Sequence, residues 1–211
     1  MGVRIHFLRR ISLGWSVLAG ASIGGLLAVV VQVVYFFAFC NFHTVLPGEV
    51  YRCAQPSAAK LEQLIRAYGI RTVVNMRSWE DADWYREEQQ VARKCEVAMA
   101  DVPFWGTRLP SVQDLRGLVD MIDHSSPPLL IHCYSGADRT GLASAMYLLL
   151  KTDCSLAEAH RQLSLVYGHV SWGQAGALDK FLDMYADWLR EQGREHSAPA
   201  LRWWMGHVYC P

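Results

Sequence analysis

The run Leu129-Leu130-Ile131-His132-Cys133-Tyr134-Ser135-Gly136-Ala137-Asp138-Arg139-Thr140-Gly141 decides how the chain is read. Its first three residues are apolar without alternation, as expected of a central parallel strand buried between two helix layers. From Arg139 to Leu150 the pattern predicts a helix. A chain that turns from strand into helix gathers unpaired N–H groups around one point, and such a ring collects a tetrahedral dianion such as phosphate. Gly136 permits unusual dihedrals in the turn, and Gly141 permits close approach by the first helical turn. Tyr134, Ser135, Gly136, Ala137, Asp138 and Arg139 are therefore the expected phosphate-binding positions, with Arg139 reaching back to hold two oxygens in a fork that lysine cannot match. Cys133 lies at the centre of this environment, where a thiolate is stabilised. Thr140 is expected to donate a hydrogen bond to that sulfur, and His132 to fix the loop backbone. In-line attack by the sulfur on phosphorus, followed by hydrolysis, is the chemistry these residues suit, and it requires no metal.

Outward from this run, helical and strand patterns alternate. Leu61, Leu64, Ile65 and Tyr68 recur at helical spacing, Gly69 stops them, and Thr72-Val73-Val74 follows as a strand. Ser78 opens a polar, acidic helix reaching about Lys94, Val97 to Val102 reads as a strand, and Ser111 begins a helix with Val112, Leu115, Leu118, Val119 and Ile122 on one face. After Arg139–Leu150 come a helix with a Ser155-x-x-Glu158 capping box and another carrying Leu178, Phe181, Leu182, Tyr185, Trp188 and Leu189, closed by Gly193. The fold class predicted is α/β, a mostly parallel central sheet flanked by helices, with domain boundaries at 44–193 and a tail over 194–211. Tyr167-Gly168-His169 reads as a helix-ending glycine between half-buried polar rings, with a lining of the active-site mouth as the alternative. Trp203-Trp204 is expected to pack against the domain.

Residues 1–43 form a separate element. Of 20 Lys+Arg and 20 Asp+Glu, three arginines (Arg4, Arg9, Arg10) and no acid precede His43, leaving 17 basic and 20 acidic residues beyond it. That balance lacks the positive field nucleic-acid binding needs. No Asp, Glu, Lys or Arg occurs from Ile11 to Gly48, and about twenty apolar residues span a bilayer core, so Ile11 to Phe39 is expected to be one transmembrane helix. Cleavage at Ala19-Gly20-Ala21 would leave the more apolar half attached, which favours an uncleaved anchor. The basic flank places the N-terminus in the cytoplasm and the domain on the periplasmic or other non-cytoplasmic side. The cysteines at 40, 53, 95, 154 and 210 show no CxxC spacing, which argues against metal binding and against a redox enzyme with a nearby resolving cysteine.

The His132-Cys133-x5-Arg139-Thr140 signature resembles that of the cysteine-dependent dual-specificity and tyrosine phosphatase superfamily. Val50 to Ser57, Val73-Val74-Asn75-Met76-Arg77 and Gly136 to Gly141 look like a bacterial, membrane-anchored or secreted branch of it. The resemblance implies a parallel sheet wrapped by helices, a phosphocysteine intermediate, no cofactor, and as substrate a phosphorylated protein, with a phospholipid headgroup as the alternative. It also implies a general acid. Asp101, 32 residues before Cys133, fits by spacing, whereas the loop Phe104-Trp105-Gly106-Thr107-Arg108 has no carboxylate; Asp138, inside the phosphate loop, is the competing candidate. The loop carries none of the lysines that meet additional phosphates in lipid-phosphate members. Arg77 and Arg108 each follow a predicted strand at the edge where ligand crevices form, and are candidates for substrate contact or for solvated salt bridges.

Overall fold

The computed structural model describes residues 20–27, 30, 31, 34, 38–77 and 82–211. The chain divides after Cys40 into two units, Met1–Cys40 and Asn41–Pro211. In the first, the described residues 20–27, 30, 31, 34, 38 and 39 are helical. The expected transmembrane helix over Ile11 to Phe39 is not supported. Residues 11–19, 28, 29, 32, 33 and 35–37 lie outside the described residues, as do Arg4, Arg9 and Arg10, and among those described no helix is long and apolar enough to cross a membrane.

Among its described residues the second unit contains five strands, β1 (His43–Leu46), β2 (Val50–Cys53), β3 (Thr72–Asn75), β4 (Ala98–Asp101) and β5 (Leu129–His132). Seven α-helices accompany them: α1 (Ala58–Tyr68), α2 (Asp83–Lys94), α3 (Val112–His124), α4 (Asp138–Lys151), α5 (Leu156–His160), α6 (Ala177–Glu191) and α7 (Ala198–His207). The sheet order is β1-β2-β5-β3-β4. β2, β5, β3 and β4 are parallel and β1 is antiparallel to β2, so the expected mostly parallel sheet is mixed at one edge. In that edge hairpin the pairing shifts register between Thr44 and Leu46, and Gly48 closes its turn at φ 77°.

β5 is central, and Leu129, Leu130 and Ile131 are completely buried, which stabilises the sheet by about 1.5–3 kcal/mol for each side chain. The strands alternate as a pleat requires. Val50, Val74, Leu129 and Ile131 join the core beneath α3, α4, α6 and α7, whereas Tyr51, Cys53, Val73 and Leu130 join the core beneath α1 and α2. Capping follows the sequence closely. Ser57 accepts from Lys60 N, and Ser111 with Asp114 and Ser155 with Glu158 form capping boxes.

Two boundaries differ from expectation. The described part of the acidic helix begins at Asp83, and residues 78–81 lie outside the described residues. The stretch 194–211 is not a tail: α7 buries Leu201, Trp204 and Met205, and Tyr209 beyond it donates from its hydroxyl to Pro110 O at 2.7 Å. Trp204 packs on Phe181 and Tyr185 inside the domain, while half-exposed Trp203 stacks on Trp188 and His207.

Candidate active site

His132 is level with Cys53 on one side and Asn75 on the other, so three parallel strands end together and the next residues leave the sheet at its carboxyl edge. This is the place where open α/β sheets form ligand crevices. Cys133, first past β5, is buried, and α4 begins five residues later without a side-chain cap at Ala137. Uncapped first-turn amides are donors in want of an acceptor.

What turns those amides inward is the treatment of the loop carbonyls. Tyr134 O accepts from Gln55 N at 3.2 Å, and Ser135 O from Asn41 Nδ2 at 3.0 Å. Gly136 O and Ala137 O accept from Arg52 Nη2 at 2.7 and 3.1 Å. Four successive carbonyls are thus held from outside the loop, and each planar trans peptide directs its N–H the opposite way, that of Ala137 donating to Ser135 Oγ at 3.3 Å. Gly136 sits at φ 71°, where a Cβ would lie 2.6 Å from the backbone of Cys53 and Ala54, so the loop packs directly on the end of β2 and admits no side chain there.

Arg52 is the buried centre of this support. Its Nη1 donates to both Gln162 O and Gln162 Oε1 at 2.8 Å, and its guanidinium lies 3.8 Å from the Tyr167 ring centroid. Burial lowers it to about 10, partly offset by the Tyr167 hydroxyl and the sulfur of Cys133, so it keeps its charge beneath the loop. Asn41 completes the brace, donating also to Tyr167 O at 2.9 Å and accepting from His43 Nε2 at 3.0 Å.

The predicted site residues fall into two groups. Arg139, Tyr134, Arg77 and Arg108 line one crevice of about 480 Å³ with Phe104 and Trp105. Arg139 Nη1 donates to Met76 O at 3.0 Å, which lays the guanidinium across the end of β3. The loop after β4 folds down on it, since a Cβ on Gly106 would touch Arg139 Cγ at 3.4 Å and Asp138 Cβ at 3.5 Å. Arg77 donates to Gln55 Oε1 at 3.0 Å and lies over the Trp84 ring at 3.9 Å and nearer the crevice over Tyr134 at 5.2 Å. Burial, with Arg139 close by, holds Arg77 below the usual arginine range. Neither Arg77 nor Arg108 has a carboxylate partner among the described residues. Asp114, which also borders the crevice, is engaged by the amide of Ser111 at 2.8 Å.

Asp101 stands apart from that crevice. Its Oδ1 accepts from Asn75 Nδ2 at 3.0 Å and its Oδ2 from the Tyr85 hydroxyl at 2.6 Å, tying the ends of β3, β4 and α2 together. Asp138 is next to Arg139 on the first turn of α4, with Oδ1 bonded to His169 Nδ1 at 2.6 Å.

Two supporting roles differ from expectation. His132 does not brace the loop backbone through its ring: Nε2 bonds Glu88 Oε1 at 2.7 Å, both groups being buried, and Glu88 Oε2 accepts from Gln55 Nε2 at 2.9 Å. The buried carboxylate of α2 is a stronger acceptor than a loop carbonyl already engaged. His132 therefore acts at one remove, through Glu88 and Gln55 to Arg77. The Thr140 hydroxyl is buried without a hydrogen-bond partner, so the expected bond to Cys133 is not made. A thiol is a weak acceptor, and only its anion would command that donor.

Sequence reasoning did not find Arg52, Asn41, Gln162 or Glu88 as site residues, and it weighed His169 only as a half-buried ring at the active-site mouth, whereas the ring is buried. Arg52 offered one signal, a charged residue inside a strand whose other residues, Val50, Tyr51 and Cys53, are all apolar or aromatic.

A family model described as DSP-PTPase phosphatase fused to NAD+ kinase matches residues 41–171. No protein of curated function matches the chain. Among solved structures, TpbA of P. aeruginosa is similar at 22% identity, 69% of this chain, 85% of that one and a TM-score of 0.54. The core catalytic domain of the PP-IP phosphatase SIW14 of S. cerevisiae is similar at 20% identity, 69% and 85% coverage and a TM-score of 0.55. A DUF442 protein of Shewanella putrefaciens CN-32 follows at 16% identity, 68% and 91% coverage and a TM-score of 0.54. At these identities the likeness establishes the fold. The family match spans well over half of the chain and holds both Cys133 and Arg139, and the chain accordingly belongs to the DSP-PTPase phosphatases of the type fused to NAD+ kinase, within the cysteine-dependent phosphatase superfamily.

Proposed function

We propose that the protein hydrolyses phosphomonoesters without a metal, through a phosphocysteine intermediate, and that its substrate is a phosphorylated tyrosine side chain of a protein. The observation that carries this reading is the set of four loop carbonyls bound from behind, by Gln55, Asn41 and Arg52, which leaves the amides of Ser135, Gly136 and Asp138 to face a dianion, while that of Ala137 donates to Ser135 Oγ at 3.3 Å. Cys133 Sγ attacks phosphorus as the bond to the ester oxygen breaks, and the leaving oxygen takes a proton from Asp138. Water then attacks phosphorus, the P–S bond breaks to return the thiolate, inorganic phosphate leaves, and Asp138 takes the proton of the water. Asp138 is favoured over Asp101 because it adjoins Arg139, whereas both oxygens of Asp101 already accept hydrogen bonds at the strand ends. Arg77 and Arg108, with the walls of Tyr134, Phe104 and Trp105, suit an aromatic ester flanked by acidic groups.

The test is turnover of an aryl phosphate and a phosphotyrosine peptide by the full-length protein, with and without EDTA. Turnover unaffected by EDTA and abolished in Cys133→Ser supports the reading; activity surviving that substitution refutes it. The alternative substrate, a phospholipid headgroup, draws support from the N-terminal unit, where Ile23, Leu26, Leu27, Val30, Val31 and Val34 are exposed apolar residues. Faster turnover of phosphatidylinositol phosphate vesicles than of the peptide would select it.

The same unit is proposed as a single-pass anchor with its N-terminus cytoplasmic and the catalytic unit outside, on the strength of the charge-free run from Ile11 to Gly48 and the arginines before it. Alkaline carbonate extraction and reporter fusions after Pro211 test that placement; a protein released by carbonate, or a C-terminus reported as cytoplasmic, would refute it.

A further inference from the structure

A second polar assembly meets the loop at Asp138. His169 is buried to 1% exposure, yet each ring nitrogen meets a carboxylate oxygen, Nδ1 at 2.6 Å from Asp138 Oδ1 and Nε2 at 2.6 Å from Asp179 Oδ2. Asp179 is itself buried in the first turn of α6, and its Oδ1 accepts from Ser171 Oγ at 3.0 Å. His160 of α5 stands farther off, 3.9 Å from Asp179 and 3.7 Å from Asp183. Arg139 adjoins Asp138 in the chain, and the field of Arg52 also reaches Asp138.

A ring that donates from both nitrogens is an imidazolium, and a buried cation needs partners of this kind. We propose that His169 is a positioning residue for the phosphatase reaction, a fixed imidazolium that orients Asp138 toward the leaving oxygen and stabilises the carboxylate Asp138 becomes on giving up its proton. The inference rests on the assignment of Asp138 as the acid. His169 keeps both its protons throughout: the proton moves from Asp138 to the ester oxygen, the negative charge left on Asp138 is met by the Nδ1–H already bonded to it, and water restores the proton in the second step. Asp179, held by Ser171, keeps the ring cationic and prevents it from turning. Burial alone would lower the imidazole, but the bonds to Asp138 and Asp179 outweigh it and raise it above its ordinary value, consistent with this role.

The test compares phenyl phosphate, a poor leaving group, with p-nitrophenyl phosphate, a good one, over the pH profile of kcat/KM for the full-length protein. Asp138→Asn is the reference. It should lose about a hundred-fold on phenyl phosphate and far less on the nitrophenyl ester; equal losses would overturn the acid assignment and this inference with it. Given the expected reference, His169→Asn, which keeps a neutral donor near the Nδ1 position, should lose about ten-fold on phenyl phosphate. It should also move the alkaline limb of the profile upward by about one unit and add no further loss in the Asp138→Asn background. Equal losses on both esters, an unmoved limb, or additive losses would overturn the inference while leaving the phosphatase reading intact. Should His169→Asn fail to fold, Asp179→Asn gives the same signs at smaller size. In the wild-type protein, nitrogen NMR of the His169 ring should show two N–H groups at neutral pH, and one would overturn the inference.

Discussion

Arg52 spends its charge on carbonyl oxygens, a use that the sequence alone does not announce. Two of its bonds end on Gly136 O and Ala137 O and two on Gln162, with Nε left unpaired in the interior. Removing it strands buried acceptors at a cost of about 1–3 kcal/mol each. Arg52→Met is therefore expected to lower stability by about 3 kcal/mol in denaturant titration and to reduce kcat/KM by about a hundred-fold, with Arg52→Lys rescuing little because one ammonium cannot serve both ends. Unchanged kinetics in a folded Arg52→Met protein would mean that the loop holds its shape unaided. Cys133 and Arg139 were legible because they are neighbours in one short run. Their supports were not: Arg52 lies 84 residues from Gly136, Asn41 lies 94 from Ser135, and His169 lies 31 from Asp138, so only the tertiary fold brings them in.

Helix α4 carries the loop's contribution to the rest of the fold through Gly141. A Cβ there would stand 2.7 Å from Gln162 O and Leu163 Cδ2, and Gln162 O is also an acceptor of Arg52. Gly141→Ala must push α4 away from the exit of α5, and the expected outcome is a loss of about 1–3 kcal/mol together with reduced activity. Gly117 in α3 is the contrasting case, since its Cβ would meet only Val102 Cγ1 at 3.7 Å. Gly117→Ala should raise stability by about 0.5–1 kcal/mol through helix propensity, with activity unchanged. Thermal melts of the two variants check both signs. Elements with a full apolar stripe or an explicit cap, such as α1, α3, α4 and α6, were readable; β1 was missed because it is partly exposed and its pairing shifts register between Thr44 and Leu46, β2 because Arg52 interrupts its apolar run, and α7 because it buries only Leu201, Trp204 and Met205 of its ten residues.

Across the catalytic unit, Asp123 joins three helices. From α3 it accepts from Lys151 of α4 at 2.8 Å and, in two bonds of 2.8 Å, from Arg202 of α7. The Arg202 fork lowers it from 3.8 to about 2, outweighing the opposing effect of burial, and Lys151 adds to the lowering. A carboxylate held lower in the folded state adds stability above its unfolded value and loses it as pH falls through the folded one. The stability difference between the wild type and Asp123→Asn should thus be about 1 kcal/mol at neutral pH, after allowance for solvent screening. It should shrink below 3.8 and vanish near about 2. No difference at neutral pH would assign the helix docking to α7's apolar contacts alone.

The identity of the nucleophile is open to direct capture. Full-length Asp138→Asn protein, in which hydrolysis of the intermediate is slowed, can be mixed with an aryl phosphate, quenched, digested and weighed by mass spectrometry. A phosphate mass on the peptide containing Cys133, absent from the Cys133→Ser protein, is the result expected; released product with phosphate on another residue, or with none on any, would contradict a cysteine held in a ring of backbone donors as the group that attacks.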